Sequence, residues 1–260
     1  MMKWTHIDKY YREDRVTLKQ NKYDDEHFFY QYKRLPRSLY GLDGAGEWHV
    51  LKRLMPDFNS KNVLDLGCGF GWHCRYARKQ GAKKVIGVDL STKMINEARK
   101  LTDDEHITYF QSAIEDYEAE DGYFDVIMSS LALHYVSDYS QAVRKIWRLL
   151  TKNGVFLFSV EHPIFTSVAL QDWIYNHKGD KLHWPIDHYQ EEGIRETQFL
   201  EQNVVKYHRT LSTYINTLLS VGFKLEIIEE PQPSLEMLEF SEEMKHEMRR
   251  PMFLLLRVIK

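Results

Sequence analysis

Over residues 62–160 the hydrophobic and polar positions follow two alternating rhythms. The segments 62–66, 84–89, 107–111, 124–131 and 155–160 are short and apolar, which predicts strands. Between them apolar residues recur at helical spacing, as in Met94, Ala98 and Leu101, or Val143, Ile146, Trp147 and Leu150. Ser91 and Asp138 stand where helix N-caps belong, and Gly81 and Gly154 where helices stop. The segment 155–160 (VFLFSV) is apolar throughout, as a strand covered on both faces requires. This strand–helix beat predicts an α/β fold with a parallel, doubly wound sheet. A helix over Ser212–Leu219 ending at Gly222, then strands at 223–228 and 253–259, bring the sheet to seven strands.

Three stretches break the rhythm. Residues 1–40 are polar and aromatic, which predicts irregular structure with one or two short helices. A break at Gly41–Gly46 precedes a helix over Glu47–Met55, with Trp48, Leu51, Leu54 and Met55 on one face and Pro56 closing it. Residues 161–209 lose core periodicity and exceed an ordinary connection, the mark of a lid or binding element. Residues 231–250, rich in Pro and Glu, read as a linker. The expected organisation is a helical or irregular N-terminal cap over 1–55 and a main domain over 56–260. Within that domain 161–209 forms a lid or substrate insertion. The cap either packs outside the sheet or folds as a flap over a ligand.

Composition narrows the partners. The 260 residues carry 35 Lys+Arg and 38 Asp+Glu, a net charge of −3 with both signs interleaved. Binding a phosphate backbone needs clustered Lys and Arg, so no nucleic-acid partner is expected. No apolar run is long enough to span a bilayer, and MMKWTHIDKYYRED lacks a signal-peptide core. A cytoplasmic monomer or homodimer without membrane contact is the expectation. The two cysteines, Cys68 and Cys74, fit no metal spacing and read as small buried hydrophobes. Many of the 16 Tyr and 6 Trp fall outside the strand–helix core.

The candidate chemistry starts at NVLDLGCGFGWHCRY, residues 62–76. Gly67, Gly69 and Gly71 occupy alternate positions between a strand and a helix start. Glycine there permits unusual backbone angles and leaves no side chain between backbone and ligand. The turn then offers the free N–H groups of a helix N-terminus. A dinucleotide fingerprint needs a third glycine where Trp72 stands, and a Walker loop needs Gly-Lys-Ser/Thr. The pattern Asp-x-Gly-x-Gly-x-Gly fits instead. Asp89, 20–25 residues on at the end of the next strand, is placed to accept from ribose hydroxyls.

On VLDLGCGFG the segment resembles motif I of the class I S-adenosylmethionine-dependent methyltransferases, and FDVIMSSL (124–131) resembles their motif IV. Residues 60–160 carry the likeness, to the broad small-molecule group that includes quinone-biosynthesis methyltransferases. The resemblance implies a Rossmann-like sheet, mostly parallel, with an antiparallel last strand inserted beside the fifth. It implies S-adenosyl-L-methionine as cofactor, held by Asp65, Gly67, Cys68, Gly69, Gly71, Trp72, Asp89, Leu90, Met94, Ala113, Ile114, Glu115, Ser129, Ser130 and His134. It departs at Ala113, where related enzymes place an Asp on the adenine amino group.

Methyl transfer is an in-line displacement to which the protein contributes alignment and exclusion of water. His134, His162 and Tyr207, with His208 behind, are the expected base or acceptor-orienting groups; each stands against an alternative role as a hydrogen-bonded structural residue. Arg209, Arg249 and Arg250 either hold an acidic acceptor or are solvated surface charges. His177, His183, His188 and Asp187 are spaced for no single helix face, so no metal is expected. The expected function is methylation of a small-molecule acceptor, partly apolar or aromatic. The alternatives are a non-catalytic cofactor-binding regulator or scaffold, and a nicotinamide-dependent oxidoreductase, which Trp72 disfavours.

Overall fold

The computed structural model describes residues 19–260. The part of the N-terminal cap before residue 19, with its tyrosines at 10 and 11, lies outside the described residues. Five parallel strands form in chain order: β1 Asn62–Leu66, β2 Lys84–Asp89, β3 Ile107–Gln111, β4 Phe124–Ser130 and β5 Leu150–Glu161. β6 (Lys224–Glu229) and β7 (Phe253–Ile259) complete a seven-stranded sheet in the order β6-β7-β5-β4-β1-β2-β3. β7 runs antiparallel to both β5 and β6, and the remaining pairs are parallel. The fold is the expected α/β Rossmann-like sheet with its last strand beside the fifth.

Side-chain parity builds two cores. Val63, Val85 and Val126 are in register and point to one face, against α3 (Trp72–Lys79) and α4 (Thr92–Lys100). Their neighbours Leu64, Ile86 and Ile127 point to the other face, against α5 (Tyr139–Leu149) and α6 (Leu211–Val221). The first face continues onto Leu157 and Leu255, which α2 (Trp48–Leu54) covers. The starts of α4 and α5 have the side-chain caps their sequence offers: Ser91 accepts from Met94 N, and Asp138 from Gln141 N. Because β1 leads to β2 on one side and borders β4 on the other, the chain reverses direction there. Ligands of open α/β sheets bind at such a point, beyond the strands' carboxyl ends.

Several elements differ from expectation. α5 ends at Leu149 rather than Gly154, because Leu150 is already paired with Phe124 of β4 and buried. Residues 231–250 hold two short helices, Leu235–Phe240 and Glu242–Glu247, the first capped by Ser234. Residues 161–209 contain two hairpins, Ile174–Tyr175 with Lys181–His183 and Gly193–Phe199 with Gln202–His208. The second turns through Leu200 and Glu201, both at positive φ. Neither is the Gly or Asn that normally announces such a turn. Its buried positions are Thr197, Val204, Lys206 and His208, so polar residues hide the alternation. Among the described residues no helix is long and apolar enough to cross a membrane.

Candidate functional site

A cavity of about 550 Å³ opens over the carboxyl ends of β1, β2, β3 and β4. Its floor is the glycine turn. Gly67 N and Cys68 N both donate to Val88 O, at 2.7 and 2.9 Å, which lashes the turn to β2. Gly67, Gly69 and Gly71 all have positive φ, at 76°, 52° and 72°. The three nonetheless serve different ends. A Cβ on Gly67 would lie 2.3 Å from Ala132 Cβ, and one on Gly71 would lie 2.2 Å from Tyr109 Oη. One on Gly69 would meet nothing within 4 Å. Gly71 therefore serves packing, while Gly69 leaves the space above the backbone open.

Asp89 stands on the cavity wall with one oxygen on Gly69 N and the other on Ser91 N, each at 2.9 Å. Burial pushes its carboxyl up to about 6; those two N–H donors work against the rise and the nearby Asp24 charge adds to it. Asp24 caps the start of α4, accepting from Ser91 Oγ at 2.6 Å and Lys93 N at 2.9 Å. Leu90, Met94, Ala113, Ile114 and Glu115 continue the wall.

The opposite half of the cavity is built from His134, Tyr135, Glu161, Gln171 and Lys206, with Phe165, Met252 and Phe253. Glu161 pairs with Lys206 at 2.6 Å and accepts from Gln171 Nε2 at 3.1 Å. Burial opposes its ionisation, but Lys206 and these donors hold the carboxyl below its ordinary value. His134 Nδ1 accepts from Glu161 N at 3.4 Å, so the proton of the neutral ring sits on Nε2. Burial lowers its pKa to about 4. The ring is therefore a neutral donor rather than a base. Arg37 enters from the N-terminal side, with one nitrogen on both oxygens of the buried Glu47 at 2.6 and 2.8 Å.

Of the residues expected from sequence, the cavity brings together Gly67, Gly69, Asp89, Leu90, Met94, Ala113, Ile114, Glu115, Ser130 and His134. The others lie elsewhere. Asp65 is buried beneath the turn, with one oxygen on Cys74 Sγ and the other unpaired among the described residues. Burial pushes its carboxyl up to about 7. Ser129 faces inward and donates to Leu66 O at 2.8 Å. Cys68 and Gly71 belong to the turn but do not line the cavity, and Trp72 packs behind it against Gly41. His162 is spent on structure: Nδ1 accepts from Ile164 N and Nε2 meets Glu230 at 2.7 Å. Tyr207 projects from the hairpin face opposite Lys206, and His208 is held between Thr166 and Tyr189. Arg209 donates to the carbonyls of Val136 and Ser137, Arg249 to that of Lys181, and Arg250 pairs with Glu247 at 2.8 Å. None of the three is on the cavity wall. Among the described residues no group of three His, Cys, Asp or Glu is arranged around a metal position.

Tyr23, Tyr32, Arg37, Glu161, Gln171 and Lys206 also line the cavity and are not among the residues expected from sequence. A signal existed for Glu161. It closes β5 at the ligand end of the sheet, and strand parity turns it and His162 to opposite sides.

A methyltransferase domain model matches residues 64–158. A crystal structure from Listeria monocytogenes, assigned to the S-adenosylmethionine-dependent methyltransferases, is 50% identical, covers 83% of this chain and 98% of its own, and superposes with a TM-score of 0.77. A second S-adenosylmethionine-dependent methyltransferase, from Mesorhizobium loti, is 42% identical over 85% of this chain and 100% of its own, with a TM-score of 0.79. The ubiquinone biosynthesis O-methyltransferase of Pasteurella multocida is 39% identical over 122 residues, 42% of this chain and 50% of that protein. The chain thus spans only half the length of that relative.

Proposed function

Because the chain belongs to the S-adenosylmethionine-dependent methyltransferase family, we propose that it methylates a small-molecule acceptor, held in the half of the cavity formed by His134, Glu161 and Lys206. Its cofactor is S-adenosyl-L-methionine, which supplies an electrophilic methyl group on a sulfonium for in-line displacement. The residues present fit it. Gly69 leaves its approach open, and the Asp89 oxygens keep lone pairs free for sugar hydroxyls beyond their two N–H donors. Leu90 and Met94 offer an apolar face for the base. Ala113 has no side-chain acceptor, so main-chain groups at 113–114 take the adenine edge.

On the acceptor side the Nε2–H of His134 donates to the acceptor atom and orients it. Glu161, ionised, is the group placed to receive a proton. Arg37 and Lys206 are already paired with Glu47 and Glu161. This half is therefore nearly charge-balanced, and with Phe165, Met252 and Phe253 it suits a partly apolar acceptor. Residues 19–55 and the 161–209 insertion line the two halves and keep water out. The observation that carries the proposal is this single cavity with two chemically distinct halves meeting over Gly67 and Ser130.

Incubation with methyl-labelled cofactor and a low-molecular-mass cell extract, followed by mass spectrometry, tests it. A labelled small molecule formed with stoichiometric S-adenosylhomocysteine is expected. Tight cofactor binding with no transfer to any small molecule would overturn the enzymatic reading in favour of a regulator.

A further inference from the structure

We propose that Asn21 completes the sugar site from above: its side-chain carbonyl accepts a hydrogen bond from a ribose hydroxyl of the bound cofactor. This rests on the cofactor placement given above.

The orientation of the amide is fixed. Asn21 Nδ2 lies 2.7 Å from Asp24 Oδ2 and 3.5 Å from Leu90 O. A carboxylate and a carbonyl only accept, so the atom facing them is the nitrogen. The carbonyl oxygen is thereby turned the other way. It is shielded from solvent, and no donor among the described residues reaches it, although the residue lies on the cavity wall. Buried acceptors are almost always satisfied, so this atom marks a place prepared for a donor.

The course of the chain says which donor. Residues 19–23 cross the strand ends in the order of the sheet. Lys19 pairs with Asp116 beyond β3, Asn21 lies against Leu90 beyond β2, and Tyr23 meets Tyr135 beyond β4 at 3.5 Å. The adenosyl group offers three donors to a carbonyl: two ribose hydroxyls and the 6-amino group. The amino group belongs at the β3 end, beside Ala113. The hydroxyls belong at the β2 end, where Asp89 stands and where Asn21 sits. Hydrogen bonds also tie residues 21–24 to the β2 end. Asp24 accepts from Ser91 Oγ, and Ser91 N donates to Asp89, so Asn21 and Asp89 are tied to one turn. Asp89 then grips the sugar from the sheet and Asn21 from the opposite side.

The test is calorimetric binding of S-adenosylhomocysteine and its 2′-deoxy, 3′-deoxy and 6-desamino forms to the wild-type chain and to Asn21→Ala. In the wild type, removing the hydroxyl that Asn21 holds weakens binding. In Asn21→Ala that same penalty shrinks by roughly three- to tenfold, the worth of one hydrogen bond, while the 6-desamino penalty stays as it was. Penalties that are all unchanged in Asn21→Ala would mean a merely structural residue and overturn the proposal. A shrinking 6-desamino penalty would overturn it too, by moving the contact to the adenine. If Asn21→Ala fails to fold, the wild-type complex with S-adenosylhomocysteine decides: a ribose oxygen within about 3.2 Å of Oδ1 supports the proposal, and a longer separation overturns it. A wild-type chain that binds none of the four ligands takes down the cofactor placement and this proposal together.

Discussion

Replacing Gly69 by alanine should separate folding from ligand binding, and replacing Gly71 should not. Both glycines have left-handed backbone angles, φ 52° and 72°. A side chain in that region costs about 1–2 kcal/mol. For Gly69→Ala that is the whole folding penalty, because the new methyl meets no protein atom within 4 Å. In a chain of this size it lowers Tm by roughly 2–8 °C. The methyl instead enters the space reserved for cofactor, and overfilling a close-packed contact costs about 1–3 kcal/mol. S-adenosylhomocysteine affinity should fall roughly five- to 150-fold. For Gly71→Ala the methyl would stand 2.2 Å from Tyr109 Oη. Strain and overpacking add to about 2–5 kcal/mol of lost stability. Thermal unfolding and calorimetric titration of both variants give the comparison. Undiminished binding by Gly69→Ala, or equal loss of stability in the two, would refute this division of roles.

Three further outcomes follow from the same geometry. Asp89 must be ionised to accept from the sugar and its carboxyl is raised to about 6, so cofactor affinity should be level above pH 7. It should fall about tenfold per unit well below pH 6, and a flat calorimetric profile from pH 5 to 8 would contradict this. The folded Asp65 carboxyl is raised to about 7, so the native state keeps a proton the unfolded chain releases near pH 3.9. Stability is thus lost as pH rises from about 4 to 7. The gain in unfolding free energy from Asp65→Asn should be about 2–3 kcal/mol larger at pH 8 than at pH 5; equal gains would remove the cause. Tyr207→Phe should leave kcat/KM within about twofold and His162→Ala should cost roughly 1–2 kcal/mol of stability through its lost cap with kcat intact. A hundredfold fall in kcat for either would return that residue to the active site.

Strand and helix rhythm made the sheet legible, because β1, β2, β4 and β5 are largely buried and each crossover helix shows an apolar stripe. The cofactor half of the site was legible for the same reason: its residues follow strand ends, which sequence locates well. The acceptor half was harder. Lys206 is reached through a hairpin whose turn residues, Leu200 and Glu201, carry no turn signature and whose buried face includes a lysine and a histidine. Tyr23, Tyr32 and Arg37 come from a segment without periodicity that is positioned by long-range contacts, such as Gln20 on the Val205 main chain. Histidine chemistry points to His162 in this stretch, whereas the parity of β5 turns its neighbour Glu161 to the cavity. Asp65 and Trp72 stand within the motif, and their placement away from the cavity depends on packing that spacing alone does not express.

The central claim is that one cavity holds cofactor over the glycine turn and acceptor against Glu161 and His134. A crystal structure of the complex with S-adenosylhomocysteine measures it most directly. The expected complex has the ribose on Asp89 and the sulfur directed at the His134–Glu161 half. A ligand bound away from Gly69, or one whose sulfur faces bulk solvent, would contradict it.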